Sequence, residues 1–261
     1  MKIDFHTHGK LAKKLPFSKV YTNWLFGEAQ HAGLDAICLT EHFNTLGFDQ
    51  VYRYIAENFQ RDEDTFLAGG LRIFPGMETD IAEGGHILTI GRMEDILELN
   101  RRLEPYKEKE KFLPFHQLIS LLREYPVIVG AGHPYREGGH IPELPRELLL
   151  QFDFLDLNGK DLAQDRERTE KQVYTLGQEL GIPVVTGSDT HQAFQYGCVN
   201  TRFSRTIRTI EGLKEAVREG RYEIWISENI AFQVKTAGML KTALKEIHSL
   251  GGDYVSVLTR S

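Results

Sequence analysis

The sequence predicts an α/β fold with mainly parallel strands. Apolar runs of strand length and helical segments alternate about seven times along the chain. The run at residues 36–40 is apolar almost throughout, which is typical of a parallel strand that is covered on both faces. Such alternation indicates βαβ units, arranged either as an open sheet or as a closed barrel.

Each predicted element is delimited by its own pattern. Gly33, Gly181 and Gly220 follow helical segments at the position where helices commonly end. The predicted strands are residues 3–5, 36–40, 71–77, 86–90, 126–130, 154–157, 183–186 and 223–226. The predicted helices are residues 18–32, 48–59, 115–125, 166–180, 210–218 and 236–249. Residues 92–114 are highly charged, and we expect a lid or a surface insertion there.

Size and composition favour one soluble domain. The 261 residues contain no linker rich in Ser, Gly or Pro, so we expect residues 1–261 to form a single domain. The net charge of −6 predicts no stable binding of nucleic acid, because a broad grip on a polyanion normally needs a basic face. Cys38 and Cys198 suggest no disulfide framework. Without an apolar leader or a membrane-length apolar span, we expect a cytoplasmic protein with no membrane contact.

Histidines and carboxylates cluster at the ends of predicted strands. The clusters are His6-Thr7-His8, Thr40-Glu41-His42, Gly76-Met77-Glu78, Gly85-His86, Gly132-His133-Pro134 and Gly187-Ser188-Asp189-Thr190-His191. Side chains two residues apart on a strand, such as His6 and His8, point to the same face. In α/β folds, ligands bind where the carboxyl ends of the strands meet. Because imidazole and carboxylate groups share the use of binding divalent metal, the pattern predicts a metal site.

Several of these residues have an alternative interpretation when they are taken singly. The Glu41 cluster also fits the N-cap region of a helix, His86 fits a turn, and Asp80 is a rival carboxylate to Glu78. Asp4 is expected to orient one of the imidazoles from behind. The histidines that we interpret as non-ligands, from predicted helices and a glycine-rich loop, are His31, His116, His248 and His140.

Taken in order, the clusters resemble the polymerase and histidinol phosphatase (PHP) superfamily, from Met1 to about Thr201. The resemblance implies a distorted (β/α)₇ barrel with two or three divalent metals at the carboxyl ends of the strands. It implies a first metal held by His6, His8, Glu78 and Asp189. It further implies that Glu78 bridges to a second metal completed by His86 and His133, and that His42 and His191 face a third.

One stretch departs from the family pattern. Trinuclear members often carry another histidine shortly after the first pair, but residues 9–14 contain none. A protonated lysine is a poor metal ligand, so the occupancy of a third site stays open. Lys14 is predicted to approach a substrate phosphate, with a solvated lysine run as the alternative.

The expected function is metal-dependent phosphoesterase activity on a small phosphorylated metabolite, by attack of a metal-bound hydroxide. Asp189 or His191 is expected to assist proton transfer, while Arg136 and Lys160 are candidates for gripping phosphate. Nitrogen and oxygen ligands without thiolate favour zinc, manganese or iron. The alternatives are a nuclease-like phosphodiesterase acting on nucleotides or short single strands, and a non-catalytic metal-binding domain.

Overall fold

A computed structural model describes residues 1–259 of the chain. The strands are β1 (Lys2–Thr7), β2 (Ala36–Leu39), β3 (Gln60–Asp62), β4 (Thr65–Ala68), β5 (Leu71–Asp80), β6 (His86–Ile90), β7 (Ile128–Gly132), β8 (Phe154–Asp156), β9 (Val184–Val185), β10 (Val199–Phe203) and β11 (Tyr222–Ile226). The α-helices are α1 (Lys19–His31), α2 (Phe48–Asn58), α3 (Met93–Arg102), α4 (Phe115–Leu122), α5 (Arg146–Leu149), α6 (Gly159–Gln164), α7 (Arg166–Leu180), α8 (Ile210–Glu219), α9 (Ile230–Ser249) and α10 (Tyr254–Thr259). Short 3₁₀ turns lie at Glu104–Tyr106, Lys109–Lys111, Ile141–Glu143 and Ala193–Gln195.

Seven strands form a barrel-shaped sheet in the order β1-β2-β5-β6-β7-β8-β9. The last strand returns to the first through hydrogen bonds from Phe5 N to Thr186 O (3.0 Å) and from His8 N to Thr190 O (2.9 Å). The β3–β4 hairpin adds to β5, β10 pairs antiparallel with β1, and β11 pairs antiparallel with β10. The predicted seven-stranded α/β barrel is confirmed. Of the four additional strands, β11 matches the strand predicted at residues 223–226, whereas β3, β4 and β10 were not predicted.

One barrel strand runs against the others. β6 pairs antiparallel with both β5 and β7, whereas β1, β2, β5, β7, β8 and β9 pair in parallel with their other barrel neighbours. His86 is the first residue of β6, which has the bounds predicted for this strand. Because of the reversal, the start of β6 lies at the same edge of the sheet as the end of β7, where His86 pairs with Gly132.

Two apolar layers hold the barrel together. Its interior is filled by fully buried side chains that include Phe5, Phe74 and Phe154. A second core lies between the sheet and the surrounding helices. The pairing of β1 with β2 shifts register between Asp4 and Thr7. Such an irregularity re-aims the residues beyond it, and it explains how a strand that buries Phe5 inward also directs the following histidines into the mouth of the barrel.

The helix ends follow local rules. The Ser18 hydroxyl accepts a hydrogen bond from Tyr21 N (3.3 Å) at the start of α1, and Thr209 caps α8 through Gly212 N (3.0 Å). Gly181 ends α7 with φ +69°, a left-handed conformation that favours glycine.

Residues 92–114 are part of the packed structure. They form α3 and two 3₁₀ turns, and Ile96, Leu99 and Leu103 of this segment are fully buried in the outer core. The high charge of α3 reflects the solvated face of an amphipathic helix, so the expected lid or surface insertion is wrong for this part of the segment. The two 3₁₀ turns bury no residue and lie at the surface. Within residues 1–259, no helix is long and apolar enough to cross a membrane.

Candidate metal centre

Eight side chains from six segments of the chain converge at one end of the barrel. They are His6, His8, His42, Glu78, His86, His133, Asp189 and His191, the set that the sequence predicted as metal ligands. Their nitrogen and oxygen atoms form three groups within each of which the atoms lie within 4.8 Å of one another: His6, His8 and Asp189; Glu78, His86 and His133; and His8, His42 and His191. All are buried except His86, whose side chain is 27% exposed.

Glu78 stands at the middle of the cluster. Its Oε1 lies 3.3 Å from His6 Nε2 and 3.4 Å from His133 Nε2. Its Oε2 lies 3.4 Å from His8 Nε2 and 2.6 Å from His42 Nδ1. The carboxylate therefore faces histidines of all three groups, an arrangement suited to bridging two cations.

Buried polar atoms without hydrogen bonds show whether the cluster is suited to binding divalent metal. In the described part of the chain, His6 Nε2, both ring nitrogens of His8, His42 Nδ1 and Glu78 Oε2 are buried without a hydrogen bond. Buried polar atoms are normally satisfied, and leaving one unsatisfied is costly. Nitrogen and carboxylate donors packed this closely match the ligands of zinc, manganese or iron, so the residues fit the group that the family pattern implies.

A carboxylate that the sequence interpretation missed orients the first histidine. Asp156 is fully buried, and its Oδ2 accepts from His6 Nδ1 (2.9 Å), from His133 N (3.3 Å) and from Asn158 Nδ2 (2.9 Å). This bond leaves His6 Nε2 free for a ligand. The sequence did indicate a partner for this residue. Burying a carboxylate at the end of an apolar strand costs free energy unless the carboxylate is hydrogen-bonded or paired with a charge.

Asp4 does not have the role expected for it. Its Oδ1 accepts from the backbone N–H groups of Ser188 (2.8 Å) and His6 (3.2 Å), not from an imidazole. It therefore ties β1 to the segment after β9. Asp80 was the alternative to Glu78 as a ligand. Its Oδ1 lies 3.1 Å from His86 Nε2, and the other ring nitrogen of His86, Nδ1, faces Glu78.

The Asp156→Asn variant is expected to bind Zn²⁺ about 10–100-fold more weakly than the wild type, because His6 loses the charged partner that fixes its ring. Competition of the metal-stripped proteins with a chromophoric chelator measures this affinity. Asp49→Asn, at an exposed carboxylate of α2 paired with Arg53, is the matched control. Equal affinity in the Asp156 and Asp49 variants would contradict the orienting role.

Four of the imidazoles divide into two classes by pKa. Burial by itself would lower the pKa of His6 and His86, but the Glu78 carboxylate and other acidic neighbours raise it to about 10 and about 9. Burial lowers the pKa of His42 and His133 to about 4, helped by His8 beside His42 and by Arg136 beside His133. The metal-free cluster therefore carries protons on some imidazoles and not on others at neutral pH.

Metal binding is expected to release protons from His6 and His86, since a ligating imidazole nitrogen must be free of its proton. The release should be present at neutral pH and should disappear above the pKa values of about 10 and about 9, while the metal affinity increases with pH. Calorimetric titration with Zn²⁺ in two buffers of different ionisation enthalpy counts the protons. Identical heats in both buffers at neutral pH would show that the two imidazoles are already neutral.

Two of the three predicted phosphate-binding cations contact Asp189, and the third does not. Arg136 Nη1 donates to Asp189 Oδ2 (2.7 Å), and Lys160 Nζ lies 2.9 Å from Asp189 Oδ1. Lys14 is exposed, and it is the neighbouring Lys13 that lies 3.1 Å from Asp80 at the edge of the cluster. The role of Lys14 therefore stays a prediction.

Two further lysines near the cluster were not indicated by the sequence. Lys10 is buried, and its Nζ donates to Thr45 Oγ1 (2.9 Å); its backbone carbonyl accepts from His191 Nδ1 (2.9 Å). Lys241 comes from α9, which packs against α6. Burial and the nearby Lys160 lower the pKa of Lys241 to about 8. Lys10 lies in a lysine run and Lys241 in a long C-terminal helix. Neither context indicates that the residue is close to the site.

Comparisons with known proteins agree with this fold and cluster. The PHP-associated family model matches residues 169–222. A curated relative from Caldanaerobacter subterraneus subsp. tengcongensis, described as a probable phosphatase, is 27% identical over 232 residues, which cover 81% of this chain and 83% of the relative.

Solved structures share the fold at low identity. PsfC from Pseudomonas syringae superposes with a TM-score of 0.78 at 19% identity, covering 93% of this chain and 98% of PsfC. A lesion-specific endonuclease from Pyrococcus furiosus superposes with a TM-score of 0.64 at 18% identity, covering 85% of this chain and 57% of the endonuclease. With the ligand cluster and the barrel, the PHP-associated family model and the probable phosphatase agree with the resemblance of the sequence to the PHP superfamily.

Proposed function

We propose that the protein hydrolyses the phosphate ester of a small phosphorylated metabolite. The observation that carries the proposal is the buried Glu78 carboxylate, set among five imidazoles of which three have unsatisfied ring nitrogens. The residues proposed to hold two or three ions of zinc, manganese or iron are His6, His8, His42, Glu78, His86, His133, Asp189 and His191. Such ions supply an activated water and neutralise charge on the phosphoryl oxygens.

Asp189 and His191 are the proposed proton-handling residues. The hydrogen bond from His191 Nδ1 to the Lys10 carbonyl assigns the proton to Nδ1, so Nε2 carries the lone pair. That nitrogen lies 3.9 Å from Asp189 Oδ1. It is therefore placed either to bind metal or to accept a proton and pass it to a leaving oxygen, and the two roles exclude each other while a metal is held.

A small substrate fits the charge of the molecule. The net charge of −6 provides no general attraction for a long polyanion, and all the gathered side chains except His86 are buried. A phosphate group carried by a compact molecule needs only local cations, which Lys160 provides beside Asp189.

The second candidate is a nuclease-like phosphodiesterase acting on nucleotides or short strands. Its support is the fold shared with the Pyrococcus furiosus endonuclease and with a solved complex of Endonuclease Q, which holds a 27-mer duplex with an abasic lesion. The same bridging carboxylate would serve a phosphodiester equally well, so the two candidates differ in substrate and not in the metal cluster.

The deciding experiment is a substrate panel with the metal-reconstituted protein. Protein loaded with Zn²⁺, Mn²⁺ or Fe²⁺ is assayed on sugar phosphates, nucleotides, a short single strand and an abasic duplex, with metal-stripped protein as the control. We expect metal-dependent release of inorganic phosphate from monoesters. Cleavage confined to the oligonucleotides would favour the second candidate, and inactivity on the whole panel with metal bound would refute both.

A further inference from the structure

Asp189 receives a different cation on each of its carboxylate oxygens. Oδ1 faces the ligand cluster, at 3.3 Å from His8 Nε2 and 4.0 Å from His6 Nε2, and Lys160 Nζ lies 2.9 Å from this same oxygen. Oδ2 accepts from Arg136 Nη1 at 2.7 Å. The lysine therefore lies on the oxygen that faces His6 and His8, the other members of a candidate metal-binding group, whereas the arginine holds the other oxygen.

Arg136 is committed to the protein through all three of its nitrogens. Besides the bond to Asp189, Nε donates to Asp161 Oδ1 (2.8 Å) and Nη2 donates to Asn158 Oδ1 (2.7 Å). Asn158 in turn donates to Asp156, the residue that orients His6. The guanidinium thus joins the segment after β7, the start of α6 and the segment after β9, and turning it to a phosphate would leave partly buried carboxylates without their partner.

Lys160 is held much less firmly. Its ammonium contacts one oxygen of Asp189, whereas the equally exposed Arg136 side chain makes three hydrogen bonds. An ammonium on a flexible four-carbon stem rotates and relocates easily, in contrast to a guanidinium fixed in three directions. A divalent ion on Asp189 Oδ1 would repel a cation 2.9 Å from that oxygen.

We propose that Arg136 is a positioning residue that holds Asp189 for metal, and that Lys160 is an exchangeable cation. Lys160 neutralises Asp189 Oδ1 in the metal-free protein and turns to a phosphate oxygen once metal occupies the site. The assignment rests on the proposed phosphoesterase function. It separates two residues for which the sequence predicted the same phosphate-gripping role.

Metal affinity tests the first half of the proposal without any turnover. Zn²⁺ affinity is measured by chelator competition for Arg136→Lys and Lys160→Met, with Arg166→Lys and Lys171→Met on α7 as matched controls. Arg136→Lys keeps the charge but not the three-way clamp, and we expect its Zn²⁺ affinity to fall about 10–100-fold. Lys160→Met removes a competing cation, and we expect affinity to increase severalfold. Unchanged affinity in Arg136→Lys, or weaker binding in Lys160→Met, would overturn the assignment.

A milder variant protects this test against misfolding. Asp161→Asn removes one anchor of Arg136 without touching Asp189. If Arg136 acts through Asp189, the Zn²⁺ affinity of Asp161→Asn is also lower than that of the wild type, but the decrease is smaller than in Arg136→Lys. If affinity stays at the wild-type value while the thermal unfolding midpoint is unchanged, the clamp has no effect on metal binding.

Inorganic phosphate tests the second half. Its binding to the Zn²⁺-saturated proteins is measured by calorimetry. We expect Lys160→Met to weaken phosphate binding about tenfold or more, the range for losing a charge-assisted hydrogen bond, and Arg136→Lys to leave it close to wild type. The reverse pattern would make Arg136 the phosphate-binding residue. A protein that binds metal and phosphate as expected but hydrolyses no ester would refute the proposed function while leaving these assignments standing.

Discussion

The Glu78→Gln variant is expected to lose most of its bound metal and to lower kcat/KM at least about a thousandfold while remaining folded. Glutamine has nearly the shape of glutamate, but it lacks the negative charge and presents an NH₂ group that cannot ligate a cation. The Glu78 oxygens face five imidazoles, those of His6, His8, His42, His86 and His133. No other carboxylate contacts imidazoles of all three ligand groups, among the ion pairs described for residues 1–259.

Elemental analysis after metal loading, kcat/KM on the best substrate of the panel and circular dichroism give the three readouts. The matched control is Glu143→Gln, at a carboxylate that pairs with His140 Nδ1 at 2.9 Å but is 74% exposed. Exposed pairs of this kind contribute little, so the control should keep wild-type metal content and activity. Full metal loading of Glu78→Gln would contradict the bridging role, whatever the activity.

The Gly187→Ala variant is expected to be less stable than the wild type by about 2–3 kcal/mol and to bind Zn²⁺ at least about tenfold more weakly. A Cβ at this position would lie 2.2 Å from His6 Cβ, 2.8 Å from His6 N and 2.9 Å from Asp156 Oδ1. Two of these atoms belong to the backbone or to the root of a side chain, so they cannot move aside without displacing β1. The first ligand would shift with it.

A glycine-to-alanine substitution at a position with free space should increase the stability of the protein. Gly27 lies inside α1 with no atom within 4 Å of an added Cβ. Gly27→Ala is expected to stabilise the protein by about 0.5–1 kcal/mol, because alanine is the better helix former. Thermal unfolding of the metal-stripped proteins compares the two variants. A Gly187→Ala protein with the wild-type midpoint and metal affinity would show that β1 and the segment after β9 are farther apart than described.

Much of the barrel was predictable because its signals are local. The run at residues 36–40 and the glycine after residue 180 mark a strand and a helix end by patterns confined to a few neighbours, and β2 and α7 occupy those places. The 3₁₀ turns and the short strands β3, β4 and β10 were missed, because segments of three to five residues carry too little pattern.

The direction of β6 shows a different limit. The strand predicted at residues 86–90 begins at His86, as β6 does, but its antiparallel direction was not predicted. An apolar run looks alike whether its strand is parallel or antiparallel, since the choice depends on hydrogen bonds with neighbours far along the chain. The predicted position of His86 at the ligand-bearing edge of the barrel is nevertheless correct. In a strand of reversed direction, the first residue lies at the edge where the other strands have their last residues.

The sequence by itself determined which residue types stand at the strand ends, and hence that imidazoles and carboxylates meet at one end of an α/β barrel. Only the tertiary structure decided which atoms face one another: that Asp156 holds His6 from 150 positions away, and that Arg136 and Lys160 divide the two oxygens of Asp189. The reason is physical. Strand and helix formation depend on neighbours within a turn or a pleat, whereas a hydrogen-bond partner is selected by the packing of the whole barrel to within a fraction of an ångström.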